Sequence, residues 1–307
     1  MKRLLLAAAL FAATALPAQE PAHPAQRPGP GTILMPHLTD SKYIDVPWIS
    51  GWGEWSREVR LPTWNVRIGS RTIDFGPTKH TVWLFISAVV VAIVLLSVAR
   101  AHERHSKAIG RPKGSAAGLE AVIIYLRNEI YMPVLGHGGE KYVPLCLTLF
   151  FFILVCNGFG LIPYGSTATG NLAVTATLAI IVFVTTEVAG MIALGAGYIN
   201  TVVYWPHDMP LGLKLPLTVI MTPIELISKF TKPFALTVRL FANMIAGHVI
   251  VLSLIGIIFL FGSWVALGAI PMALFIDGLE ILVVVIQAFI FSLLAAVFIG
   301  QIRSAHH

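Results

Sequence analysis

The chain has 307 residues, of which 56% are hydrophobic and only 12% are charged, and its mean hydropathy is +0.80. Soluble domains carry about 25% charged residues, so this composition excludes an ordinary soluble protein and predicts an all-α, polytopic membrane protein. The net charge of +6 does not indicate a nucleic-acid partner, because much of the basic charge flanks apolar segments that are long enough to span a bilayer.

The N-terminus has the pattern of a secretory signal peptide. A basic start over residues 1–3 and a short apolar run over residues 4–16 lead to a cleavage position after Ala18, which predicts a signal peptide over residues 1–18. The alternative, a first membrane span, is disfavoured because the run is shorter than the ~18 residues that a span needs.

Residues 19–78 are predicted to form an external segment. Residues 64–75 alternate between apolar and polar side chains around Gly69 and Ser70, which predicts a small β-hairpin with a tight turn. The segment also contains Trp48, Trp52, Trp55 and Trp64. We expect these indole rings to rest on the outer membrane–water boundary, where tryptophan is enriched.

The first membrane span is predicted over about residues 81–99. A basic cluster follows at once, formed by Arg100, Arg104, Lys107, Arg111 and Lys113. This cluster predicts that the loop is cytoplasmic. Residues 118–135 then mix apolar side chains with a few charges, as expected of an interfacial amphipathic helix.

Two more spans are predicted over about residues 143–161 and 172–195. Cys146 and Cys156 lie in the first of these, separated by ~15 Å along a helix, which is too far for a mutual disulfide. The sequence shows no metal-ligand spacing, so we expect neither a metal site nor a cofactor.

A long, tilted helical hairpin is predicted at the C-terminal end of the membrane domain. A proline-rich cytoplasmic loop over residues 198–216 precedes it, and apolar residues then run from 217 to 302 with one break near residues 262–271. Arg303 and a tail over residues 304–307 return to the cytoplasm. Five crossings with the N-terminus outside therefore fit every basic loop.

Arg239 is the most informative residue of this hairpin. A guanidinium keeps its proton in proteins, and holding it at membrane depth costs between ~2.5 and ~17 kcal/mol. The residue therefore needs an acidic partner or a water-filled cavity. The alternative, an arginine that snorkels to the headgroups, is disfavoured because apolar residues continue well past it in both directions.

The other polar residues of the first arm fall on two faces. At ~100° per residue, a polar stripe several turns long is formed by Glu225, Ser228, Lys232, Arg239 and Asn243. His248 is turned by ~180° from Arg239. Pro233 is expected to kink the stripe, and we interpret Lys229 and Lys232 as residues near the cytoplasmic headgroups.

In the second arm, Asp277, Glu280 and Gln287 share a face. We expect His248 to meet Glu280 across the hairpin, where an imidazole and a carboxylate in low dielectric form a proton-relay pair. The alternative for His248 and Glu280 is a buried ion pair with a purely structural role. For Asp277, the alternative is a position at the outer membrane interface.

No nucleophile–base pair and no glycine-rich phosphate loop is found in the sequence, so chemistry on an organic substrate is not supported. A secondary transporter or ion channel with an intramembrane Arg/Glu/His relay is the alternative function. Such a protein is expected to show repeated halves with broken helices, and no such repeat stands out.

The polar hairpin resembles a known family. The motif from Pro223 through Pro233 to the run over residues 239–248 resembles the signature of subunit a of the F-type ATP synthase, and Glu280 with residues 286–291 resembles its second half. Residues 157–163 and 169–172 are similar to weaker motifs of that family. The resemblance covers about residues 79–302, which identifies residues 79–303 as the membrane domain.

The resemblance implies a multi-pass protein of the bacterial inner membrane, with a periplasmic N-terminus and a cytoplasmic C-terminus. It implies a proton-channel stator beside a ring of c subunits, with b subunits as further partners and no catalysis of its own. Arg239 is expected to face the ring carboxylate. The outer half-channel is expected to contain Asn243, His248, Glu280 and Gln287, and the cytoplasmic half-channel Glu225 and Ser228.

Two departures from the family pattern stand out. Some members have an acidic residue where this chain has His248 and a histidine where it has Glu280, so the pair looks exchanged here. Gly160 replaces an acidic residue of some bacterial members, so the resemblance carries no role onto that position.

Overall fold

The structure is a computed structural model that describes residues 40–47, 56–68, 71–74, 76–106, 115–162, 165–203 and 210–304. The predicted signal peptide and three of the four tryptophans of the external segment lie outside these residues. The chain divides into two units, Met1–Lys79 and His80–His307.

The first unit contains two antiparallel hairpins. Strand β1 (Tyr43–Pro47) pairs with β2 (Ser56–Arg60), and β3 (Asn65–Ile68) pairs with β4 (Arg71–Asp74). The β3–β4 pair confirms the predicted hairpin, and residues 69–70 of its predicted tight turn lie outside the described residues. The β1–β2 pair was not predicted.

Asp74 ties this unit together. Its carboxylate accepts hydrogen bonds from the backbone N–H of Trp64 at 2.9 Å and of Gly76 at 2.8 Å, and it pairs with Lys42. The hydrogen bond from Lys42 lowers the pKa of Asp74 from its usual value.

The second unit is helical. Its described helices are α1 (Lys79–Ser106, which starts one residue before the unit), α2 (Ser115–Tyr125), α3 (Met132–Leu135), α4 (Val143–Gly160), α5 (Leu172–Leu194), α6 (Leu211–Phe261) and α7 (Ala266–Arg303). Five helical stretches of the described residues are long and apolar enough to cross a membrane, which confirms the predicted all-α polytopic architecture and its five spans.

Four boundaries differ from the prediction, and the first is the end of α1, which continues to Ser106 and includes Arg100 and Arg104, two residues that were expected in the loop. Helix α6 contains Pro216, which was expected in a loop, and α7 contains Pro271, which was expected in the break. Long apolar helices tolerate proline because neighbouring helices and side chains satisfy the freed carbonyls. The break itself is short, because Gly262 adopts φ +91°, which ends α6, and the 3₁₀ turn Ser263–Val265 follows directly.

The predicted interfacial helix over residues 118–135 is not continuous. Between α2 and α3 lies a π-helical turn, Leu126–Tyr131. Pro133 in the first turn of α3 lacks an N–H, so the hydrogen-bond ladder changes register just before it. The sequence pattern predicted the helical content of this segment but not its division.

Helix α7 forms the centre of the core. In the most apolar stretch of α7, 39% of the residues are buried, whereas only 11% are buried in the corresponding stretch of α6. The hydroxyl of Tyr131 donates to Ser292 at 2.8 Å, and Arg303 donates to the carbonyls of Leu135 and His137 at 2.8 Å each. These hydrogen bonds attach α7 to the segment that precedes α4, while one side of α6 remains exposed.

Candidate functional site

His248 of α6 and Glu280 of α7 meet across the hairpin. The imidazole Nδ1 lies 3.0 Å from the carboxylate Oε1, and the Glu280 side chain is only 6% exposed. The contact is close but not aligned as a hydrogen bond, so Oε1 has no aligned donor. Gly247 makes the approach possible, because a Cβ at that position would stand 2.9 Å from Oε1. The predicted contact is therefore present, and the two groups lie within reach of proton transfer.

The other nitrogen of the His248 ring faces the end of α4. A Cβ on Gly160 would stand 3.0 Å from Nε2 of His248 and 2.9 Å from Cβ of Thr167. Gly160 therefore supplies the space that the His248 ring occupies. Sequence reasoning assigned no role to Gly160, and the signal that pointed to it was its departure from the family pattern.

A buried polar network continues from this point. The Thr169 hydroxyl donates to the Asn157 side chain and shares a 2.7 Å hydrogen bond with the Thr167 hydroxyl. Nδ1 of His80, at the start of α1, donates to the Thr167 carbonyl at 3.0 Å. The Nδ2 atom of Asn157 is buried without a hydrogen-bond partner, as expected where a water molecule binds. The sequence motifs over residues 157–163 and 169–172 contained two of these residues without showing that they touch.

Helix α6 separates a buried ridge from an exposed edge. Leu236, Leu240 and Met244 are buried at i, i+4 and i+8 spacing. Arg239 and Asn243, each one position earlier in the helix, are exposed. Arg239 and His248 therefore face different surroundings, as their predicted angular separation requires.

Arg239 has no acidic partner within the part of the chain that the structure describes. It lines an open groove of about 360 Å³ together with Ser228, Thr231, Lys232, Ala235, Leu236, Leu294 and Phe298. A permanent cation at this depth requires compensation. The groove leaves it open to a group from outside the chain.

The remaining predicted residues divide between buried and exposed positions. Gln287 is buried at 7% exposure on α7, two turns after Glu280, whereas Asp277 is exposed. Glu225 and Ser228 are both exposed, and they face different spaces. Ser228 lies on the Arg239 groove, whereas Glu225 lines a neighbouring cavity of about 170 Å³ between α5, α6 and α7, and the two spaces share Lys232, Leu236 and Phe298.

The cavity contains a polar cluster that sequence reasoning missed. Lys229 pairs with Glu187 of α5 at 3.0 Å, and both side chains are largely buried, at 11% and 14% exposure. Lys229, interpreted above as a headgroup residue, is therefore turned inward. The signal in the sequence was that Glu187 is the only charged residue between positions 172 and 195. Among the described residues, no three His, Cys, Asp or Glu side chains are grouped as a metal site would need.

Comparison with known proteins gives consistent matches. The family model described as ATP synthase A chain matches residues 81–300. ATP synthase subunit a 2 of Chlorobaculum tepidum is 42% identical, with 90% of this chain and 74% of that protein covered. ATP synthase subunit a 2 of Chlorobium luteolum is 40% identical over 95% of this chain and 84% of that protein. ATP synthase subunit a of Anaeromyxobacter dehalogenans is 39% identical over 90% of this chain and 71% of that protein.

Proposed function

The chain belongs to the ATP synthase A chain family, and from that membership we propose how its polar residues carry protons and couple their flow to rotation. It is a proton-translocating subunit a and a multi-pass bacterial membrane protein. The proposal concerns the roles of single residues, the partners and the orientation in the membrane. In this proposal the chain does not catalyse a reaction, and ATP is made by other subunits of the complex.

Arg239 is the coupling residue of the proposed mechanism. Its exposure on the open groove, without a carboxylate from its own chain, supports a partner carboxylate on a ring of c subunits. A fixed cation within ~4–6 Å favours the ionised carboxylate, so each ring site releases its proton before it passes Arg239. A neutral ring site can then face lipid, whereas an ionised one cannot do so cheaply. The same cation prevents protons from leaking between the half-channels.

The outer half-channel is centred on His248 and Glu280. When a proton binds Nε2 of His248, the imidazole becomes cationic. The proton on Nδ1 can then pass to Oε1 of Glu280, which lies 3.0 Å away. Gln287 and Asn243 lie deeper along α7 and α6, by roughly 10 Å and 7 Å of helix rise. These amides lead from the carboxylate of Glu280 towards the groove that contains Arg239.

The cytoplasmic half-channel uses Glu225 and Ser228. Ser228 shares the groove of Arg239, and Glu225 lies about one turn nearer the start of α6. Glu225 has no cationic partner among the described residues, so its carboxylate is available to take a proton from the ring and release it. The ring covers the exposed side of α6 in this arrangement, and b subunits bind elsewhere on the chain.

The proposed orientation places residues 19–78 in the periplasm and both the loop after α1 and Arg303 in the cytoplasm. Single cysteines introduced on either side test it in a background that lacks Cys146 and Cys156. We expect Lys107→Cys to react with an impermeant maleimide only from the cytoplasmic face. Labelling of that position from outside would reverse the topology and both half-channels.

Replacement of Arg239 tests the stator role. We expect Arg239→Ala to abolish proton-driven ATP synthesis and ATP-driven pumping in inverted vesicles, while the complex still assembles. Arg127→Ala is the matched control, because this exposed arginine lies outside the five predicted spans and should retain normal coupling. Wild-type coupling in the Arg239→Ala complex would contradict the proposed function.

A further inference from the structure

The cavity between α5, α6 and α7 is lined by two carboxylates, Glu187 and Glu225, and by two lysines, Lys229 and Lys232. The ammonium of Lys232 stands over the ring of Phe298, 5.4 Å from its centroid, so Lys229 is the lysine that chooses between the two carboxylates. Glu225 and Lys229 are four residues apart on α6, with the acidic residue first, which is the favourable spacing and order for an ion pair on a helix. Glu187 of α5 lines the same cavity. The structure shows which carboxylate Lys229 selects.

Lys229 is bound on the α5 side of the cavity by several groups. Its Nζ lies 3.0 Å from Oε2 of Glu187 and 3.1 Å from the Thr201 hydroxyl, and it stands 4.7 Å from the ring centroid of Tyr198. The Tyr198 hydroxyl also donates to Glu187, which fixes the carboxylate in turn. Lys229 thus has an ion pair, a hydrogen bond and a cation–π contact that all direct it away from Glu225.

The cavity is large enough to hold water beside this cluster. At ~30 Å³ per molecule in the liquid, about 170 Å³ holds several water molecules. The Thr186 hydroxyl lines the cavity and is buried without a hydrogen-bond partner, as expected of a group that binds ordered water. Glu225 therefore faces a wet space in which its carboxylate can exchange protons.

We propose that Glu187 is a positioning residue for proton release, because it holds Lys229 away from Glu225 and so keeps the Glu225 carboxylate free to accept a proton. This inference rests on the proposed role of Glu225 in the cytoplasmic half-channel. An ammonium beside Glu225 would favour the ionised carboxylate and oppose proton uptake.

Charge removal in the complete ATP synthase tests the idea. We expect Glu187→Gln to slow ATP synthesis in energised inverted vesicles on the order of threefold to tenfold, within the range that coupling between contacting charges produces. Lys229→Met should leave synthesis near the wild-type rate. The double variant should match Lys229→Met, because the lysine that blocks Glu225 is gone. A merely structural ion pair predicts that Lys229→Met is slow as well, because either single variant leaves a buried charge without its partner. The rate of Lys229→Met alone therefore separates the two explanations.

Three outcomes would overturn the proposal: a wild-type rate for Glu187→Gln, a double variant as slow as Glu187→Gln, or a Lys229→Met variant as slow as Glu187→Gln. If Glu187→Gln fails to assemble, Tyr198→Phe combined with Thr201→Val loosens Lys229 without removing a charge. We expect that variant to be slowed and to recover when Lys229→Met is added, and a wild-type rate for it overturns the proposal. Arg239→Ala in the same membranes separates this test from that of the proposed function. Loss of coupling there with a wild-type rate for Glu187→Gln rejects the present inference alone.

Discussion

The outer cluster, formed by Gly160, His248 and Glu280, differs from the groove that contains Arg239 and Ser228. The outer cluster is enclosed by three helices, and its two polar side chains, His248 and Glu280, contact each other at 3.0 Å within the same chain. The groove is open, and Arg239 finds no carboxylate among the described residues. The outer cluster is therefore formed by this chain alone, whereas in the proposed function the groove is completed by a group from a partner subunit.

The energetics of the two regions differ accordingly. A buried carboxylate without a nearby cation is costly, so removing one member of the His248–Glu280 pair should disturb the fold as well as proton transfer. Arg239 is solvated or compensated from outside, so its removal should cost coupling and little stability. Variants in each region can therefore be sorted by whether they affect stability, conduction or both.

After the loss of coupling expected for Arg239→Ala, the next largest effect is expected from His248 and Glu280. His248→Ala and Glu280→Ala should each slow proton uptake driven by a fixed membrane potential by more than about tenfold, because each leaves a titrating group without its partner. The double exchange of His248→Glu with Glu280→His should restore much of the rate that either single exchange loses, because the effects of substituting two residues in contact are not additive.

The double exchange decides whether the outer cluster is one unit. The rate of proton uptake is measured for His248→Glu, for Glu280→His and for both together. If the reduction in the rate of proton uptake in the double variant equals the two single reductions combined, the residues act independently and the proton-relay hypothesis is wrong.

A smaller effect is expected where the outer cluster is tightest. Gly160→Ala places a methyl group 3.0 Å from Nε2 of His248, so the ring must shift and proton uptake should fall by several-fold, with a stability loss of about 1–3 kcal/mol. Gly158→Ala is the matched control, because a Cβ there meets nothing within 4 Å. Equal rates for the two variants would show that the position of the His248 ring does not limit conduction.

The smallest effects are expected from two amides, one buried on α7 and one exposed on α6. Gln287→Ala removes a buried side chain, so it should lower the free energy of unfolding of the purified complex by about 1–3 kcal/mol. It should also slow proton uptake. Asn243→Ala, at an exposed position, should slow uptake with a change in stability within about 0.5 kcal/mol. Equal losses of stability in the two variants would contradict the distinction between the buried face of α7 and the exposed edge of α6.

The spans could be predicted from the sequence because apolar runs of this length have few alternative structures. The prolines could not be placed in the same way. Pro216 and Pro271 sit inside helices, and whether a proline ends a helix depends on neighbours that satisfy the freed carbonyls. The β1–β2 pair was missed because part of it has no clear alternation, and strand pairing is a property of two segments together.

The site was predictable as far as helix geometry reaches. A fixed rotation per residue separates Arg239 from His248, and the hairpin brings His248 to Glu280. Gly160 and Glu187 lie on other helices, so no spacing along the hairpin points to them. The inward direction of Lys229 was missed for the same reason, because it is set by a carboxylate on α5.

The close fit of Gly160 against His248 limits how this subunit can change over generations. The two positions share one volume, and Gly247 and Glu280 share the next one. A larger residue at position 160 is tolerable only if position 248 shrinks or turns, and a new group at 248 must suit the carboxylate at 280. We therefore expect these sites on α4, α6 and α7 to vary together among related chains, so that substitutions in the outer cluster arise as sets and seldom singly.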